Sequence, residues 1–132
     1  MSNWRDWAGF RKRLNGKIIL VRGNHDRKLD TWLLPQDKWV DCMLEDGVFF
    51  AHVPPAYRDQ ERYAHDMPVT HAVPKEAKMV FCGHVHDRWA YTEAYIDDRV
   101  VPCYNVGVDV RGYVPLTMEE ILTNPHGRLD KV

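Results

Sequence analysis

Four histidines and an asparagine stand where an α/β protein places its chemistry. The runs Lys17 to Arg22 (KIILVR), Val48 to Val53 (VFFAHV) and Met79 to Cys82 (MVFC) are apolar, β-branched or aromatic, and of strand length. Gly23-Asn24-His25-Asp26 follows the first, His52 closes the second, and Gly83-His84-Val85-His86 follows the third. The C-terminal ends of strands are where α/β sheets bind ligands. Imidazole is the commonest metal ligand, and asparagine adds a neutral carbonyl oxygen. The chemistry this suits is divalent-metal binding by Asn24, His52, His84 and His86. His25 could act as a general acid, with Asp26 holding its ring by a hydrogen bond. Each residue taken alone also fits a satisfied polar strand end, and Gly23-Asn24 fits a plain turn with Asp26 as a helix cap. Convergence of four such positions on one sheet edge favours the site. His84 and His86 would share a direction in extended backbone, or diverge onto two neighbouring ions in a turn.

The remaining segments must position those strands. From Asn3 to Asn15, Trp4, Trp7, Phe10 and Leu14 recur every three or four residues with Arg and Lys opposite, which predicts an amphipathic helix ending at Asn15-Gly16. A short helix is expected over Lys28 to Leu34, stopped by Pro35. Ala56 to Lys78 is polar and reads as loop with irregular helix. Ala90 to Ile96 and Val100 to Val106 predict a hairpin around Asp97-Asp98. Thr117 and Glu120 form a capping box for a last helix through Leu122. The fold class is α/β, as a single domain over residues 1–132.

Composition excludes several function classes. A formal charge of −1 over 132 residues leaves no chain-wide basic field for nucleic acid or an anionic membrane. No apolar run approaches the roughly 20 residues of a membrane-spanning helix, and the N-terminus has no export-signal pattern. Cys42, Cys82 and Cys103 are odd in number and lie in or beside apolar stretches, so buried free thiols and a cytoplasmic location are expected. His65, His71 and His126 fall in polar loop or tail and read as solvated.

Arg22-Gly23-Asn24-His25-Asp26, Ala51-His52-Val53-Pro54 and Cys82-Gly83-His84-Val85-His86, in that order, resemble the calcineurin-like metallophosphoesterases. Asn105-Val106-Gly107-Val108-Asp109, with Val114-Pro115-Leu116-Thr117 and Glu120-Ile121 behind it, resembles the tail of the small bacterial and phage members. The likeness runs from about Asn15 to Leu122. It implies a two-sheet α/β sandwich with a dinuclear site of Mn, Fe, Ni or Zn at the strand ends. Carried over by position, Asn24, His52 and His84 would ligate one ion and His86 the second. His25, partnered by Asp26, would protonate the leaving oxygen while a metal-held hydroxide attacks phosphorus.

The family's Asp-x-His and Gly-Asp-x-x-Asp blocks have no counterpart in the 23 residues before Asn24. The resemblance therefore implies a partial sandwich, a mixed sheet with flanking helices and its N-terminal strands missing. It also implies an incomplete dinuclear site that holds at most one ion firmly. A homodimer contact, a partner chain, or Trp4 and Trp7 would cover the gap. Two functions follow. One is a metal-dependent hydrolase of phosphomono- or diesters; the other is a non-catalytic metal- or phosphate-binding module acting through a partner or within a longer chain. Nucleic acid enters only as a possible substrate. Arg58 and Arg62, with Tyr57 and Tyr63, are candidates to shape a pocket for a nucleotide or other phosphate ester, or else form a solvated loop face.

Overall fold

Strand pairing follows the composition of the runs. The computed structural model describes residues 4–23, 33–55, 72–85 and 87–127, with the backbone alone for 4–8. Helix α1 (Trp4–Arg13) leads to β1 (Ile19–Val21), then β2 (Lys38–Val40), β3 (Cys42–Glu45), β4 (Val48–Ala51), β5 (Met79–Cys82), β6 (Tyr91–Ile96), β7 (Arg99–Asn105), a 3-10 turn (Val108–Val110) and α2 (Met118–Thr123). The chain is mixed α/β. β1 and β2 form a parallel pair, and the other strands form one sheet in the order β3-β4-β5-β7-β6. β4, β5 and β7 run parallel at its centre, with antiparallel β3 and β6 on either side.

Alternation along the central strands sends side chains to both faces. Phe49, Val80, Cys82, Val101 and Cys103 enter one buried cluster, sealed by Ala77 and Ala94. Val48 and Phe81 enter the other, against Ile121 of α2. Full burial of each large side chain stabilises by about 1.5–3 kcal/mol. Phe50, Phe81 and Tyr104 occupy neighbouring positions across β4, β5 and β7 and stack edge to face, with centroids 5.6 and 5.5 Å apart.

Both hairpins turn on two residues with positive φ. Asp97 and Asp98 (φ 50° and 63°) occupy the expected turn. Asp46 and Gly47 (φ 52° and 82°) make a second, joining β3 to β4, which the sequence reading omits although Asp-Gly is a strong hairpin signal. Thr117 caps α2 as expected. Its hydroxyl accepts from the Glu120 amide at 3.1 Å, and the Glu120 carboxylate accepts from the Thr117 amide at 2.8 Å.

Several expectations need correction. The KIILVR run yields a three-residue strand whose side chains are half-buried, because β2 flanks it in place of a central sheet position. Cys42 is half-buried on the outer strand β3, while Cys82 and Cys103 are buried; all three are free. Leu33 and Leu34 are not helical, and the rest of the helix expected to end there lies outside the described residues. The basic face of α1 does not all meet solvent: Arg11 is buried, whereas Phe10 and Leu14 are about half exposed.

Arg11 turns inward because Asp37 receives it. Its Nε and Nη2 donate to the two carboxylate oxygens at 2.5 and 2.8 Å, and its other donors reach the carbonyls of Leu14 and Gly16 at the end of α1. The Asp37 carboxylate also accepts from the amides of Ile18 and Leu34. One fork thus ties α1 to the starts of β1 and β2. Hydrogen bonding to Arg11 holds the Asp37 carboxyl well below the usual carboxylate range. Because the folded-state pKa is depressed, the stabilisation is complete above the unfolded value of about 3.9 and fades as pH falls below it. Urea titrations at pH 7 and pH 3 will show a larger loss of stability for wild type than for Asp37→Asn, which is the less stable of the two at pH 7.

The C-terminal segment is locked by a buried guanidinium. Arg111 donates to the carbonyls of Asn105, Ala90 and Asn124 at 2.9, 3.1 and 2.7 Å, joining β7, the start of β6 and the end of α2. Burial pushes its pKa below the ordinary arginine value. Gly127 lies in the left-handed region (φ 59°), and a Cβ there would stand 2.2 Å from the Val110 carbonyl oxygen. Gly127→Ala is expected to cost about 1–3 kcal/mol in equilibrium unfolding.

Candidate functional site

β4 and β5 are adjacent and parallel, so His52 and Gly83-His84 leave the sheet at the same edge. The Gly83 amide donates to the His52 carbonyl at 2.8 Å, and the Val106 amide to the Cys82 carbonyl at 2.8 Å. These bonds continue the ladder past β4, β5 and β7 and fix the three exits together. A Cβ on Gly83 would lie 3.6 Å from His52 Nδ1, an ordinary contact, so glycine is not sterically required by that neighbour.

His84 then reverses the chain. The Val85 amide donates to the Gly83 carbonyl at 2.8 Å, closing a three-residue turn with His84 at its centre at φ 70°. This form of γ-turn is rare and strained. Its result is that His84 Nδ1 faces His52 Nε2 at 3.2 Å, with the rings 5.1 Å apart and inclined by 78°. In neutral rings one nitrogen donates to the other's lone pair. The same separation suits two imidazoles on one tetrahedral ion, where bonds of about 2.0–2.1 Å set the nitrogens roughly 3.3 Å apart. The separation matches both arrangements, although a shared ion would require the two ring nitrogens to turn from each other toward a common point.

Both histidines open into a cavity of about 1060 Å³. Its lining includes Val21 at the end of β1, which Asn24 follows by three positions. The cavity also brings in Asp87 and Arg88, and Asp109 of the tail motif, to none of which the sequence assigns a site role. The available signal was positional: Asp87 and Arg88 directly follow the β5 exit, and Asp109 lies just beyond β7.

Asn105 sets the path of that last segment. It is wholly buried; its Nδ2 donates to the Trp89 carbonyl at 2.8 Å and its Oδ1 accepts from the Gly107 amide at 2.9 Å. A Cβ on Gly107 would stand 2.9 Å from Asp109 Oδ1 and 3.0 Å from Asn105 Oδ1, so any side chain there would push the Asp109 carboxylate or the buried Asn105 amide aside. The tail motif thus folds back on itself at the cavity wall. The thiols beneath are not nucleophiles at neutral pH: burial pushes Cys82 well above its ordinary value and Cys103 up to about 11.

The structure brings together His52 and His84. Asn24, His25, Asp26, Arg58, Arg62 and His86 lie outside the described residues, and among those described no cluster of three or more His, Cys, Asp or Glu forms a metal-binding group. His126 is exposed, as expected for a solvated residue, and meets the Tyr91 ring edge-on. No helix among the described residues is long and apolar enough to cross a membrane. Comparison with family models, curated proteins and solved structures finds no match to the chain.

Asn105→Asp will place a carboxylate against the Trp89 carbonyl in a buried position. A loss of about 2–4 kcal/mol in urea unfolding at pH 7 is expected, with Asn105→Ala losing less.

Proposed function

We propose that this chain carries a metal-dependent phosphoester-hydrolysing site of the calcineurin-like type. The observation that carries the reading is the facing of His52 Nε2 and His84 Nδ1 at 3.2 Å, at the exits of adjacent parallel strands and at the wall of one cavity. Two neutral imidazoles at this separation would suit a divalent transition ion, with Asn24 the candidate third ligand and His86 the candidate ligand of a second ion. When bound, the metal supplies charge neutralisation at the phosphoryl oxygens and lowers the pKa of water. His25 would be the group that gives its proton to the leaving oxygen, with Asp26 as the candidate partner of its ring. On this reading the five-stranded sheet would correspond to one leaf of the family's sandwich and the β1–β2 pair to part of the second.

The test is to add Mn²⁺ or Zn²⁺ to the purified chain and follow both melting temperature and hydrolysis of a phosphodiester. Wild type should gain thermal stability and turn over substrate. His84→Ala should lose both responses. His25→Ala should keep the thermal shift while turnover falls by about 10²–10⁴-fold. Metal binding without turnover in wild type would replace the enzyme by a non-catalytic metal- or phosphate-binding module.

A further inference from the structure

The cavity is larger than a phosphate needs, and among its described residues one wall is apolar. Its volume, about 1060 Å³, lies at the upper end of small-molecule sites, which run from about 300 to 1,000 Å³. Phe50 and His52 are two positions apart along β4 and its exit, so Phe50 lies on the same face, about 6.6 Å back from the strand end. Phe81 pairs with Phe50 and meets it edge to face, with centroids 5.6 Å apart and planes at 71°. Leu116 and α2 add Met118 and Ile121 to the same wall. None of these five side chains offers a strong hydrogen-bond donor or acceptor. Sugar hydroxyls lying against them would be left unpartnered, whereas an apolar body would be desolvated at no such cost.

We propose that the phosphoester acted on here is that of a large apolar alcohol, whose body lies against Phe50, Phe81, Leu116, Met118 and Ile121 while its phosphate meets the His52–His84 end. The assignment rests on the phosphoesterase reading of that end. Hydrolysis adds one water: its oxygen bonds to phosphorus, the bond from phosphorus to the alcohol oxygen breaks, and one of the water's protons ends on the departing alcohol oxygen.

Two non-hydrolysable probes test the seat without turnover. Naphthylethylphosphonate and ethylphosphonate are titrated calorimetrically into the Mn²⁺-loaded chain, as wild type and as Leu116→Trp and Met118→Trp. Met118 is 40% exposed at the start of α2, so its replacement leaves the fold intact. The naphthyl probe should bind wild type at least about tenfold more tightly, from its apolar area alone. Either tryptophan should shrink that advantage several-fold and leave ethylphosphonate unchanged. Equal affinities in wild type, or an advantage that survives both substitutions, overturn the apolar seat. Turnover of naphthylethyl phosphate and ethyl phosphate, whose leaving alcohols are alike, separates the two levels. Hydrolysis of both with equal kcat/KM overturns the substrate class alone. Hydrolysis of neither, with no ethylphosphonate binding, overturns the phosphoesterase reading.

Discussion

Because β4 and β5 run parallel and side by side, about 4.8 Å apart, the residues that follow them emerge at the same edge of the sheet. His52 and His84 are separated by 32 positions in sequence, yet their ring nitrogens stand 3.2 Å apart for this reason. Antiparallel pairing would have sent them to opposite edges. The parallel arrangement also aligns β7, so the Asn105 segment reaches the same place and adds the wall that carries Asp109.

Holding those exits in register takes polar groups that the core cannot supply. The Gly83 and Val106 amides extend the ladder beyond the strands, and the Asn105 and Arg111 side chains donate to the carbonyls of Trp89, Asn105 and Ala90 where the loops depart. His84 sits at positive φ, a conformation that stores of order 1–3 kcal/mol and persists only where neighbouring contacts enforce it. Near the N-terminal end of the chain the Arg11–Asp37 fork plays the corresponding role, fixing α1 against the starts of β1 and β2.

Much of this was legible because it is local. MVFC is a strand in the sequence and in the structure with the same bounds, the Asp97-Asp98 hairpin turns where expected, and the Thr117–Glu120 box caps its helix. Period and capping act over a few residues, and nothing in the tertiary structure opposes them. The failures have a common cause as well. Arg11 reads as a solvent-facing base because its partner is 26 positions away, and KIILVR reads as a central strand because its neighbours could not be known. Asp46-Gly47 is a turn signal of the same local kind. Arg111 carried no local signal at all, since its three acceptors are backbone carbonyls on separate elements.

The sequence alone determined which residue types could do chemistry and that His52 and His84 would stand at strand ends, because strand length, alternation and the polar break after each run are local properties. It also set the charge balance and the apolar content of the core. Only the tertiary structure decided that the two imidazoles face one another, that the cavity beside them is walled by Phe50, Phe81 and α2, and that a buried asparagine and arginine hold its rim. Those outcomes depend on strand order and on the direction each loop takes after its strand. Both are fixed by contacts between segments far apart in the chain, and no window of neighbouring residues contains them.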